Sequence, residues 1–273
     1  MGIHMGNDSS AGRSKLNAER CIAALSGQQL LSSLRDGFNS FSLLLLTPDG
    51  EILYANRNAC TSFRDHDTES IVGHTLREVT NHEWVDERIL MLHKAVEEWR
   101  ELIVLEILSG FRLCTNIKPI EIKLDGQIQR LLLVTVELII AANFYWLLDH
   151  MEENNVVIAD CNDLGCLNIL SDRELEVLAL MGQGYRQKDI AKRLSRSIST
   201  VNRHRESIGE KLQITDRAML VRLANIAMLQ VSDAKRKRMF IGQQLTANEL
   251  LGFQLDPIAR ANAVPEITAK SPS

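Results

Sequence analysis

Between residues 42 and 141, apolar residues come in short runs separated by turn-formers. Beyond residue 170 they recur at helical spacing instead. In "SFSLLLLTPDGEILYAN" (40–56), two apolar runs flank Pro48 and Gly50, which predicts a β-hairpin. A helix-compatible stretch to about Phe63, polar "RDHDTES" and "IVGHTLREVT" follow, and Ile89, Leu90, Leu92 and Val96 predict an amphipathic helix over 85–99. Three strand-like runs come next, at 102–108, 112–124 and 130–140, separated by "SGF" and "DGQ", the second a strong hairpin signal. Two strands, short helices and then three strands predict a five-stranded antiparallel sheet with helices gathered on one face. A further short helix is compatible with "NAERCIAALSGQQLLSSLRDGF" near the start.

The C-terminal pattern is helical throughout. "LSDRELEVLALM" opens with Ser171 and has Glu174 three residues on, the spacing of a capping box, with Asp172 at the positive helix end. "GQGY" breaks that helix, and "RQKDIAKRL" predicts a short second one with Ile190, Ala191 and Leu194 inward. The turn "SRSI" leads to a third helix near Ser199–Leu212, and "RAMLVRLANIAML" makes a fourth. Two short helices joined by a tight turn, the second basic, form a helix-turn-helix. At about 100° per residue, Val201, Ile208 and Leu212 make one stripe of the third helix, with His204 and Arg205 on its flanks. Ser199, Asn202, Arg203, Glu206 and Glu210 lie opposite. Asn pairs with adenine, Arg with guanine, and Glu accepts from cytosine, so this face has the chemistry that reads base edges. Lys188, Lys192, Arg193, Arg196, Arg205 and Lys211 surround it and suit phosphates, which fix position without reading sequence.

Charge sharpens the division. The 273 residues carry a net charge of −4, yet residues 171–240 hold fifteen basic and eight acidic side chains, leaving sixteen and twenty-seven elsewhere. One segment therefore suits a polyanion and the rest does not. Five cysteines (Cys21, Cys60, Cys114, Cys161, Cys166) at scattered spacing argue against a disulfide framework and for a reducing compartment. No metal site is expected, since Cys161 and Cys166 have no histidine pair to join them. No signal-peptide pattern is evident. The stretch Leu131–Leu148 carries Glu137 and Asn143 and reads as a strand running into a linker rather than a membrane span. A cytoplasmic protein is the expectation.

"LLLLTPDGEILYANRNACTSF" followed by "IVGHTLREV" resembles the PAS sensor family over about residues 38–141. The resemblance implies a pocket for a small molecule or a sheet face that dimerises. The cysteine motif of the flavin-binding branch is absent at Cys60. His93 falls broadly where haem-binding members place their iron ligand, so haem is a candidate cofactor, though a lone helix histidine is more often an ordinary surface or core residue.

"LSDRELEVLALMGQG" and "KDIAKRLSRSISTVNRHRESIGEKL" are similar to the LuxR-type helix-turn-helix family over about 169–228. That resemblance places base contacts on Asn202, Arg203 and Glu206, phosphate contacts on Lys188, Thr200 and Lys211, and the dimer helix on Arg217–Leu229. Arg196 stands where the family usually has an aliphatic residue, and Glu206 is acidic where many members are basic. No receiver domain with strand-end aspartates is evident.

The expected fold class is α+β: a PAS-like five-stranded antiparallel sheet with helices, then an all-α, four-helix helix-turn-helix domain. The expected organisation is a tail and short helix (1–37), a sensor (38–141), a linker (142–168), a DNA-binding domain (169–230) and a tail (231–273). Its basic run Lys235–Arg238 either reaches phosphates or is solvated. Aromatic residues 144–146 and Leu147 are too apolar for water and suit a partner subunit. The expected partners are double-stranded DNA, a second copy of the chain, a small-molecule ligand and RNA polymerase, with no membrane. A scaffold whose helix-turn-helix no longer reads DNA is the rival. The absence of a Gly-rich phosphate loop, HExxH or GxSxG argues against an enzyme.

Overall fold

The computed structural model describes residues 42–56, 58–59, 71–80, 82–139, 141–240 and 245–252. The expected helix before residue 38, Cys21, Cys60 and most of the tail lie outside them. Of the described residues, 42–103 and 115–137 form one compact unit, and 104–114 with 138–252 form the other.

The sheet is built from β1 (Ser42–Leu46), β2 (Ile52–Ala55), β3 (Leu102–Leu108), β4 (Phe111–Leu124), β5 (Gln127–Leu138) and β6 (Val156–Ile158). Helices α1 (Leu76–Val79) and α2 (His82–Glu97) fall between β2 and β3. The strand order is β2-β1-β5-β4-β3-β6. The first five are the PAS-like set read from the sequence. β6 is an addition, contributed by the stretch read as a linker.

β1 lies antiparallel to both β2 and β5, with Leu44 opposite Val134 and Leu46 opposite Leu132. All five of its residues are buried. A strand buried on both faces is a continuous apolar run rather than an alternating one, which accounts for the unbroken "LLLL". The β1–β2 turn closes with Gly50 N donating to Thr47 O at 2.9 Å. Gly50 has φ 83°, a backbone that calls for glycine; a Cβ there would also stand 2.5 Å from Ile89 Cδ1 of α2, whose side chain would have to shift. Leu45, Leu53, Ile122 and Leu131 form a core cluster of this unit, with Tyr54, Val72, Ile120 and Leu124 packed against it. The β4–β5 turn places Asp125 and Gly126 at φ 50° and 80°, as a two-residue hairpin turn with both central residues left-handed requires.

In the second unit, the β3–β4 hairpin and the stretch after β5 pack with the C-terminal helices. The stretch read as a linker contains α3 (Ala141–Asp149), β6, β7 (Cys161–Asn162) and a 3₁₀ turn at Gly165–Ile169. Ala159 N donates to Leu105 O and Asp163 N to Ile107 O, both at 2.9 Å. On α3, Phe144 and Leu147 are buried while Tyr145 and Trp146 are exposed.

Four helices follow: α4 (Asp172–Gly182), α5 (Gln187–Arg193), α6 (Ile198–Leu212) and α7 (Arg217–Ile226). A 3₁₀ turn (Val231–Lys235), β8 (Lys237–Arg238) and α8 (Ala247–Gly252) complete the unit. α4 is its centre: every residue from Glu174 to Met181 is buried, and α5, α6, α7 and the 231–235 turn all pack on it.

The tail's basic run is divided by its extended backbone. β8 pairs parallel with β7, Cys161 opposite Lys237 and Asn162 opposite Arg238. Arg236 donates to Ile158 O and Ala159 O. Arg238 donates to Asn168 O, Leu170 O and the Asp172 carboxylate. Lys235 and Lys237 remain exposed. Arg236 and Arg238 are therefore structural. No helix among the described residues is long and apolar enough to cross a membrane.

Candidate nucleic-acid interface

The helix-turn-helix is assembled from its caps. Ser171 Oγ accepts from Glu174 N at 3.3 Å, and Glu174 Oε2 accepts from Ser171 N at 2.7 Å, closing the capping box at the start of α4. α4 ends at Gln183 and Gly184, the latter at φ 84°. The turn between α5 and α6 spans 194–197, with Ser195 left-handed at φ 52°. Ser197 then caps α6, its Oγ accepting from Thr200 N at 3.1 Å. That cap starts α6 at Ile198, one residue earlier than the sequence spacing suggested. Gln213, left-handed at φ 56°, ends it.

Val201, Ile208 and Leu212 are the buried residues of α6, and they hold it on α4 and α5. Ser199, Arg203, Glu206 and Glu210 are exposed on the other side. Arg205 is half-buried and lies 4.0 Å from Glu206, an ion pair too open to fix either side chain. Asn202 is half-buried, and its carbonyl oxygen is enclosed with no hydrogen-bond partner. An orphaned buried acceptor costs about 1–3 kcal/mol. Turning the amide outward relieves that cost and frees both its polar ends.

The flanking cations have different fates. Lys188, Lys192 and Arg196 are exposed, and Arg196 reaches Ser195 O at 3.5 Å. Pointing outward, Arg196 does not occupy the packing position an aliphatic residue would fill. Arg193 covers the Tyr185 ring, its guanidinium carbon 4.1 Å from the centroid. Thr200 shares a 2.8 Å hydroxyl contact with Ser197. Lys211 stays exposed but is tied to α4: its Nζ donates to Glu174 Oε2 at 2.7 Å.

Glu174, which also accepts from Ser207 Oγ at 2.6 Å, is therefore an anchor between α4 and α6. Burial alone would raise its pKa, but the bonds from Lys211, Ser207 and Ser171 outweigh it and hold the carboxyl at about 2. Sequence spacing revealed Glu174 as half of a capping box but not the two bonds from α6.

Sequence spacing places Ile198 in the turn. It is the first residue of α6 and is 47% exposed, unlike the other aliphatic residues of that helix.

His93 lies on α2. Its ring is 42% exposed, and Nε2 lies 3.2 Å from Asp49 Oδ1 of the β1–β2 turn. No cluster of metal-ligating side chains occurs among the described residues.

A capped helix held by its apolar stripe, with an exposed polar and basic face, preceded by a short helix and a tight turn, defines a helix-turn-helix domain of the DNA-binding class. Residues 168–224 match the family described as bacterial regulatory proteins, luxR family, and this segment is a LuxR-type helix-turn-helix domain. It is 46% identical over 56 residues to the oxygen regulatory protein NreC of Staphylococcus haemolyticus and 45% identical to that of Staphylococcus carnosus. Those matches cover 20% of this chain and 26% of each relative, so the chain spans about a quarter of the length of the curated relatives it matches. Among solved structures, a Vibrio cholerae VqmA–ligand–DNA complex aligns with 80% of this chain and 97% of its own, at 18% identity and TM-score 0.43. The PAS domain of nitrogen regulation protein NR(II) from Vibrio parahaemolyticus aligns with 40% of this chain and 98% of its own, at 19% identity and TM-score 0.29.

Proposed function

We propose that this chain is a sequence-specific, DNA-binding transcriptional regulator that acts as a homodimer. The observation that carries this reading is the exposed face of α6. Ser199, Arg203 and Glu206 are exposed there, and Lys188 and Lys192 of α5 and Arg196 of the turn between the two helices are exposed as well. Arg203 reads guanine and Glu206 reads cytosine, with Asn202 turning outward to read adenine. Lys188, Thr200 and Arg205 position the helix on phosphates. Lys211 joins them only through whatever reach its pairing with Glu174 leaves. One short helix reads few base pairs, so a second copy supplies the other half-site. The outer residues of α7, Arg217, Ala218, Met219, Arg222 and Asn225, form the face where that copy docks.

The PAS-like unit is the regulatory half. It takes a small molecule or protein signal that alters DNA binding. Neither enzymatic chemistry nor haem ligation by His93 is part of this reading.

The test uses the full chain on duplexes selected from a random library. Selective binding, a steep loss of affinity with salt, and loss of preference at one base pair on Arg203→Ala support the reading. Binding that is indifferent to sequence, or no binding, returns the chain to the scaffold alternative.

A further inference from the structure

We infer that Ile198 reads the methyl group of a thymine in the major groove, a specificity contact additional to those of Asn202, Arg203 and Glu206. The inference rests on the proposed DNA-reading role of α6 and extends it from hydrogen bonds to an apolar contact.

Three observations carry it. Ile198 is 47% exposed at the first position of α6, whereas Val201, Ile208 and Leu212 on the same helix are buried. Its place on the helix is set by Ser197, whose side chain caps the helix and starts it at Ile198 rather than leaving that residue in the turn. It is also next to the polar reading face. At roughly 100° per residue, Asn202 lies about 40° from it around the axis, one turn further on. An aliphatic group beside the amide that would face adenine meets the partner strand, where the thymine methyl projects into the same groove.

The surroundings argue for the occupant. Lys192 near the end of α5, Arg196 in the turn before α6 and Arg203 on α6 are all exposed, and these cations complement a polyanion rather than an apolar protein surface. A helix entering the groove leads with its N-terminal residues, so Ile198 approaches the bases early. Ser199, exposed beside it, supplies a hydroxyl and no bulk.

The contact can be tested by removing the methyl group alone. In the duplex selected by the full chain, each thymine is replaced singly by deoxyuridine, which keeps every hydrogen-bonding group. The expected result is one position per half-site at which the wild-type chain loses about three- to ten-fold in affinity. At that position Ile198→Ala binds the thymine and uracil duplexes equally, while Ile198→Val keeps part of the discrimination. Arg203→Ala, which acts at a different base pair, leaves the thymine–uracil difference intact. Unchanged far-UV circular dichroism and an unchanged salt slope for Ile198→Ala show that the helix and its phosphate contacts survive.

Selective binding with no uracil-sensitive thymine, or a sensitivity that persists in Ile198→Ala, overturns the contact and leaves the DNA-reading role standing. Failure of the wild-type chain to select any duplex overturns both.

Discussion

Arg112 on β4 and Asp233 in the 3₁₀ turn after α7 form an ion pair in which each side chain is 1% exposed. The guanidinium also donates to Ala227 O at 3.3 Å and Met228 O at 3.2 Å, and it lies 4.8 Å from the Phe144 ring centroid. Asp233 accepts in addition from Gln230 N at 2.8 Å. Burial pulls the Arg112 pKa down, and the carboxylate of Asp233 opposes that pull. One arginine thus joins the β3–β4 hairpin, α3 and the end of α7.

Removing Arg112 takes the closest cation from the buried Asp233 carboxylate and leaves it only the looser pairing with Arg236, 3.6 Å away. Arg112→Met should destabilise the C-terminal unit by about 3–5 kcal/mol, read as a fall in its urea midpoint. Arg112→Met with Asp233→Leu should recover part of that loss, because the under-compensated carboxylate is gone while its bonds to Arg236 and Gln230 N go with it. Equal losses from the single and the double variant would mean that the pair is not coupled.

Glu174 gives a dependence on pH. Its folded pKa, about 2, is below the ordinary 4.5. The stability it contributes is therefore complete above about pH 4.5 and is lost as pH falls toward 2. Glu174→Gln should cost about 2 kcal/mol at pH 7 and progressively less between pH 5 and pH 2. Denaturant titrations of both chains across that range measure the convergence.

Gly182 ends α4 where a Cβ would lie 2.6 Å from Ala224 Cβ on α7. Gly182→Ala gains about 1 kcal/mol in helix propensity, but overpacking costs about 1–3 kcal/mol. The expected outcome is a lower thermal midpoint, despite a change that ordinarily strengthens a helix.

Lys188 and Arg203 should separate positioning from reading. Lys188→Ala weakens all duplexes alike and lowers the slope of log affinity against log salt by about 0.9. Arg203→Ala costs about 1–3 kcal/mol on the preferred site and little on others. Fluorescence anisotropy on paired duplexes at several salt concentrations resolves the two.

Local signals carried far in the sequence, and distant ones did not. The capping box at Ser171 and Glu174 and the left-handed Gly50 and Gly126 are set within a few residues, so spacing alone revealed them. β6 and β7 are three and two residues long, and their partners lie about fifty and seventy-five residues away, so no periodicity announced them. Arg112 read as one more polar residue in a strand, because nothing near it points to Asp233. The exposure of Ser199, Arg203, Glu206 and Glu210 on α6 followed from helical geometry, whereas the enclosed Asn202 carbonyl and the capture of Lys211 by Glu174 depend on how α6 packs. Ile198 falls in the turn by sequence spacing and in the helix by structure, because the Ser197 cap begins α6 one residue earlier.

The strap formed by residues 231–240 has a practical consequence for anyone excising the DNA-binding module. A fragment trimmed to four helices would discard Arg238, which tethers the first residue of α4 and the two carbonyls before it. It would also discard Asp233 while sparing the hairpin its unmatched arginine only if residue 112 were discarded too. Protease trimming of the intact protein should accordingly stop beyond position 240, and the smallest soluble piece should prove larger than its family signature.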